Sequence, residues 1–406
     1  MSREWQITNG TIVLADGPRK LAGLLVSNGE IEEVLGPGDE RSDLITLNLH
    51  GLTVLPGFIN GHDTLIASFP GVRGENWPHL NWLSFDNDLK RSEVFRERML
   101  IEPTSLYEVG ALKNLYSGAT SVVDHIPAFV RSPFVDDLPV SLLPDFGISH
   151  SICSYSLGWG EGMKAEHARA NNQDLPYITH IAEGFDPESV LSLQVLDKAG
   201  CLSDHTVLVH GLSLSPEDLD KIADAGAHFV WCPSANLAVY NRTVIISDFL
   251  ARGINVSLGT DAAVTGSRHM LDEVKTAAKV YKEQTGNDVD SATLLSMITT
   301  NPARAFRWPS KGNLKPGSDA DFIVLDRADP AEWMQCSPVD IYLIVKSGVP
   351  VFGSADLEAL FVSSGIHFEK LQIGNAQKIV QKGVKKLRET IQRATGRTNL
   401  DFVPGW

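Results

Sequence analysis

At 406 residues the chain is long enough for more than one structural layer or domain, and its 43% hydrophobic, 21% charged composition is that of an ordinary globular protein. A formal net charge of −15 argues against nucleic acid as a main partner, because phosphate binding needs clustered Lys and Arg. No apolar run reaches the roughly 18 residues that a bilayer span requires, so no membrane partner is expected.

The first residues, Met1-Ser2-Arg3-Glu4-Trp5, carry no apolar stretch, and no signal peptide is expected. Cys153, Cys201, Cys232 and Cys336 are far apart and form no C-x-x-C pair. Free buried thiols in a reducing cytosol are the expectation, hence a cytoplasmic location.

Residues 6–54 hold short strand-like runs at 7–14, 24–26 and 31–34, punctuated by Gly, Pro, Asp and Asn, which predicts a small β-meander. Strands and helices then alternate, the pattern of a parallel α/β barrel. The predicted barrel strands are 54–60, 120–125, 148–155, 177–182, 206–210, 228–232 and 255–261. These make seven. The polar stretch 156–176 shows no clear strand, so either a short strand is hidden there or the barrel is incomplete. Residues 317–326 read as a further strand and 341–351 as a hairpin. The basic segment 371–394 is helix-like, with Val380, Val384, Leu387 and Ile391 forming one apolar stripe expected to pack on the protein's own body.

Several predicted strands end in residues that carry chemistry. His180-Ile181-Ala182-Glu183 puts a histidine at a strand end, where such barrels keep their active sites, and a carboxylate within reach. Alone, H-x-x-E is a weak signal. His210 ends the next strand, and by itself a core or capping histidine is the better reading. Asp261 ends another, where an N-cap for the following helix is the plain alternative. Taken in order, however, His62, His180, His210 and Asp261 are four strand-end polar residues, with Trp231-Cys232-Pro233-Ser234-Ala235-Asn236 between the last two.

The segment PGFINGHDTL (56–65) resembles the first metal-binding segment of the amidohydrolase superfamily, P-G-[FL]-[IV]-[ND]-x-H-x-H. The order of the later motifs resembles its triazine hydrolase and cytosine deaminase branch. The run around Asp319 to Leu325 matches as well, and the resemblance covers the chain to about Phe361. It implies a (β/α)8-like barrel over 55–312, a composite β-sandwich from 1–54 and 313–365, and a helical tail over 366–406. It implies one divalent metal ion, with zinc ahead of iron or manganese, held by His62, His180 and Asp261. Glu183 becomes the proton shuttle, and His210 the group that polarises substrate or positions water. Asp261 also orients the attacking water. A homodimer and a small-molecule substrate follow from the same resemblance.

Two positions depart from the pattern. Ala235 replaces a serine, while Asn236 is retained. Thr64 replaces the second clamp histidine, and a hydroxyl is a weak neutral donor beside imidazole. Three protein ligands suffice for a catalytic zinc, so weaker binding is expected rather than loss. His125, at the end of the neighbouring strand, is either a replacement ligand or, the preferred reading, a substrate contact. Asp63 points away from the clamp because side chains alternate in extended backbone. Trp82, with Trp77, Phe85 and Trp159, is a candidate wall for a flat heterocycle, although ordinary loop packing explains each residue singly. The expected activity is hydrolysis of a C–N bond, deaminating a small N-heterocycle. The competing expectation is a catalytically impaired relative that binds a ligand or regulates.

Overall fold

The computed structural model describes residues 4–266 and 268–406. Residues 1–3, on which part of the signal-peptide reading falls, lie outside that range, as does Ser267. Five strands open the chain: β1 (Trp5–Leu14), β2 (Gly17–Ser27), β3 (Glu30–Leu35), β4 (Ile45–Asn48) and β5 (Thr53–Pro56). Eight follow: β6 (Phe58–Asp63), β7 (Ala119–Asp124), β8 (Ser141–Leu142), β9 (Gly147–Ser151), β10 (Tyr177–Ile181), β11 (Thr206–His210), β12 (His228–Trp231) and β13 (Asn255–Leu258). The last five are β14 (Phe322–Leu325), β15 (Ile341–Lys346), β16 (Val349–Ser354), β17 (Phe368–Ile373) and β18 (Ala376–Gln381).

Strands from both ends of the chain make one ten-stranded sheet, ordered β17-β18-β16-β15-β14-β5-β1-β2-β3 with β4 also on β1. Its central strand β14 is wholly apolar, Phe-Ile-Val-Leu, because both of its faces are covered. Alternation sends Phe322 and Val324 into one hydrophobic core, and Ile323 and Leu325 into the core shared with the parallel strands.

The eight middle strands are parallel to their partners and form two ladders, β13-β12-β11-β10-β9 and β6-β7-β8. A bridge between Asp63 and Asp261 joins the ladders at the ends of β6 and β13. This is an α/β arrangement with parallel sheets, and helices such as Pro103–Leu115, Met163–Gln173 and Pro187–Lys198 lie between strands.

The structure corrects four sequence expectations. The strand predicted at 54–60 is two strands belonging to different sheets. The break falls at Gly57, where an added Cβ would lie 2.3 Å from Thr120 Oγ1. The missing eighth strand is not in 156–176, which holds the helix Met163–Gln173. It is the two-residue β8, beside Ser121 and Val122 of β7. No helix separates β8 from β9, so the alternation that marks the other strands is absent there. The strand predicted at 148–155 ends at Ser151.

The helical tail expected over 366–406 begins with the hairpin β17–β18, and Val380 lies on that hairpin rather than on a helix. The helix itself is Val384–Thr395, and Val384, Leu387 and Ile391 are buried as expected. All four cysteines are free. Among the described residues no helix is long and apolar enough to cross a membrane.

Candidate active site

The site lies where β6, β7, β10, β11 and β13 end. His62 is brought beside Asp261 by backbone pairing: Asp261 N donates to His62 O at 2.9 Å, and Thr64 N donates to Asp261 O at 2.6 Å. Gly259 makes this approach possible, because a Cβ there would stand 2.7 Å from His62 Cβ. Asp63 turns to the opposite side, where its buried carboxylate accepts from Lys113 Nζ, Asn114 Nδ2, Asn60 Nδ2 and Thr64 N.

Three imidazoles meet on the other side. His180 Nε2 is 3.2 Å from His62 Nε2 and 2.8 Å from His125 Nδ1. Asp261 Oδ1 is 3.6 Å from His62 Nε2. His210 closes the group, its ring centroid 4.8 Å from that of His180. Burial and the neighbouring histidines hold His125 and His180 well below the ordinary histidine pKa. They are therefore neutral at physiological pH, the state in which imidazole can ligate a metal.

Glu183 sits between two of these rings. Its Oε2 is 3.1 Å from His180 Nδ1, out of hydrogen-bond alignment, and its Oε1 is 3.7 Å from His210 Nε2. Tyr240 donates its hydroxyl proton to Glu183 Oε1 at 2.7 Å. Burial, then the adjacent carboxylate, pushes the Tyr240 pKa well above its usual value, so it keeps that proton. Sequence reasoning missed Tyr240. The available signal was its place one turn beyond Asn236 on the helix Pro233–Tyr240.

Asn236 is fully buried behind His210. It accepts from His210 Nδ1 at 2.9 Å and donates its amide to Thr243 Oγ1 at 3.3 Å. It therefore positions His210, and both its amide oxygen and its amide nitrogen have protein partners. With Nδ1 donating to Asn236, the His210 ring turns its Nε2 toward Glu183. Three residues at these strand ends, Ala182, His210 and Asp261, have positive φ (49°, 75° and 59°). Such backbone is uncommon outside glycine and clusters at functional sites.

Trp82 is buried, its ring centroid 4.5 Å from that of His150, and it lines a small cavity with His180 and Glu183. A larger cavity of about 570 Å³ adjoins it through Ser151, Ile152 and Cys153 and includes Trp159. Of the other loop aromatics, Phe85 packs on Val239 and Tyr240, and Trp77 donates to Ala238 O. Neither lines these two cavities. His150 is a fifth histidine of the cluster, overlooked in sequence because the strand carrying it was drawn too long. Burial holds its pKa down to about 4.

The donor set fits a metal ion. Three overlapping groups, His62–His125–His180, His62–His210–Asp261 and His180–Glu183–His210, each keep their ligand atoms within 4.8 Å of one another. His210 Nε2 and Glu183 Oε2 are buried and have no hydrogen-bond partner among the described residues. Buried polar atoms so converging are explained by a missing shared partner.

Residues 164–362 match the model of the amidohydrolase family. Over that stretch, just under half of its length, the chain is similar to that family. The matched stretch includes His180, Glu183, His210 and Asp261. A curated relative, the 5-methylthioadenosine/S-adenosylhomocysteine deaminase of Pyrococcus furiosus, is 26% identical over 93% of this chain and 99% of its own length. Among solved structures, a zinc-bound adenosine deaminase from Xanthomonas campestris superposes with a TM-score of 0.69 at 18% identity, covering 96% of this chain and 99% of that one. The zinc complex of atrazine chlorohydrolase from Arthrobacter aurescens gives a TM-score of 0.69 at 20% identity, covering 89% and 99%. At these identities the structural likenesses establish the amidohydrolase-type fold.

Proposed function

We propose that the protein is a metal-dependent hydrolase that deaminates a small N-heterocyclic amine. The observation that carries this reading is Glu183, a half-buried carboxylate between His180 and His210 beside a cluster of metal donors. His62, His180 and Asp261 would hold one divalent ion, zinc ahead of iron or manganese. When bound, such an ion lowers the pKa of water toward roughly 7 and so makes a nucleophile available at neutral pH.

The chain's own residues supply the rest. Asp261 orients the attacking water through its carboxylate. Glu183 Oε2 takes a proton from that water and returns it to a ring nitrogen of the substrate. A second transfer to the exocyclic nitrogen lets ammonia leave and a carbonyl form. Tyr240 anchors Oε1 and leaves Oε2 free for this exchange. His210, held by Asn236, stabilises the charge that develops.

The named substrates of the curated relatives include 5-methylthioadenosine, 5'-deoxyadenosine and 8-oxoguanine, so aminopurines and their nucleosides form the first panel. Ammonia release from one of them by the zinc-loaded chain is the expected result. A metal-loaded chain that releases ammonia from none but binds one of them tightly would favour the second reading, a ligand-binding relative, to which Thr64 points. We also propose that the eight parallel strands close as a barrel over 55–312, with 1–54 and 313–365 as a composite β domain and 366–406 as its extension.

Tyr240→Phe is expected to lower kcat about 10- to 100-fold with metal content unchanged, since a hydrogen bond to a charged group is worth roughly 1.5–3 kcal/mol. An unchanged kcat would remove Tyr240 from the proton-transfer unit. Chelation should lower unfolding stability relative to the zinc-loaded chain, by about 2.7 kcal/mol when free metal stands at about 100 times Kd. Identical melting curves with and without chelator would count against a resident metal.

A further inference from the structure

We propose that His125 is the metal ligand that replaces the histidine lost at position 64. This rests on the metal-dependent reading above and adds to it a donor from the neighbouring strand. His125 follows the end of β7, and its backbone N donates to Asp63 O at 2.9 Å, so it enters the site directly beside Thr64. The residue is 1% exposed, and its Nδ1 lies 2.8 Å from His180 Nε2.

Hydrogen bonding alone does not explain this contact. His180 Nε2 faces both His125 Nδ1 and His62 Nε2, at 2.8 and 3.2 Å. A ring nitrogen has either one proton or one lone pair, so it cannot make a well-aligned bond to each. A shared cation uses all three lone pairs at once. Four donors around a tetrahedral zinc with Zn–N bonds of roughly 2.0–2.1 Å stand about 3.3 Å apart. Three of the separations, 2.8, 3.2 and 3.6 Å for His125–His180, His62–His180 and His62–Asp261, bracket that value. The ligand set is then His62, His125 and His180, whose donor atoms lie within 4.8 Å of one another, with Asp261 joining from a second such group that shares His62. Three imidazoles are kept, although the second clamp position carries none.

The test is zinc affinity by chelator competition, together with zinc-edge X-ray absorption, neither of which depends on turnover. His125→Ala should weaken zinc binding at least about 10- to 100-fold, the loss typical of a mere supporting residue. Adding Thr64→His to that variant should restore the affinity. In the natural chain the absorption spectrum should show three imidazoles, a readout that stands even if His125→Ala does not fold. A natural chain that holds zinc with two imidazoles, or a folded His125→Ala that binds zinc unchanged, would overturn this inference and leave the metal-dependent reading intact. A natural chain that takes up no zinc would overturn both.

Discussion

Glu183→Gln is expected to reduce kcat for ammonia release by about 10²- to 10⁴-fold, the range that a positioned general acid–base contributes. Glutamine keeps the shape and accepts the Tyr240 hydroxyl bond, but it cannot carry a proton between water and substrate. His62, His180 and Asp261 are untouched, so metal content should stay at the level of the natural chain. The fall should therefore appear in kcat with the metal stoichiometry unaltered. A kcat within tenfold of the natural chain would assign the proton transfer elsewhere, with His210 the next candidate.

Lys113→Met is expected to cost about 3 kcal/mol of unfolding free energy, the lower end of the roughly 3–5 kcal/mol lost when one member of a buried ion pair is removed. Both side chains of the Lys113–Asp63 pair are fully buried, 2.9 Å apart. The lower end applies because Asn60, Asn114 and Thr64 still donate to the stranded carboxylate. Adding Asp63→Asn should recover part of the loss, since the uncompensated charge is then gone. Because Asp63 anchors the turn between His62 and Thr64, zinc affinity should fall alongside stability. Urea unfolding of the two variants and the double variant reads the effect. A cost below about 0.5 kcal/mol, the range of a surface substitution, would show that the pair does not hold this turn.

Much of this protein is written locally. The apolar runs of β10, β11 and β12 are buried on both faces, and such strands read as continuous hydrophobic segments whatever surrounds them. His210, which ends β11, and His180, one residue before the end of β10, could be placed from sequence because a polar residue closing an apolar run marks the strand boundary. The parallel α/β class and the participation of both chain ends in a β structure were legible for the same reason.

Other features were decided only by residues distant in the chain. Val54 to Asn60 is one apolar run, and nothing local says that it serves two sheets; the close approach of Thr120 to Gly57 divides it. β8 is two residues long and owes its strand conformation to pairing with β7. The apolar stripe through Val380 crossed a junction between hairpin and helix, because periodicity records spacing and not backbone geometry.

The site divides in the same way. Residue types at strand ends announced His62, His180, His210, Asp261 and Glu183. Tyr240 reaches Glu183 across 57 residues, Lys113 reaches Asp63 across 50, and His125 meets His180 across 55. Those contacts depend on which strands become neighbours and how deeply each pair is buried. Sequence by itself determined the supply of chemical groups. The tertiary structure decided which of them share a dry space, where a neutral imidazole or an unsolvated carboxylate must find a partner.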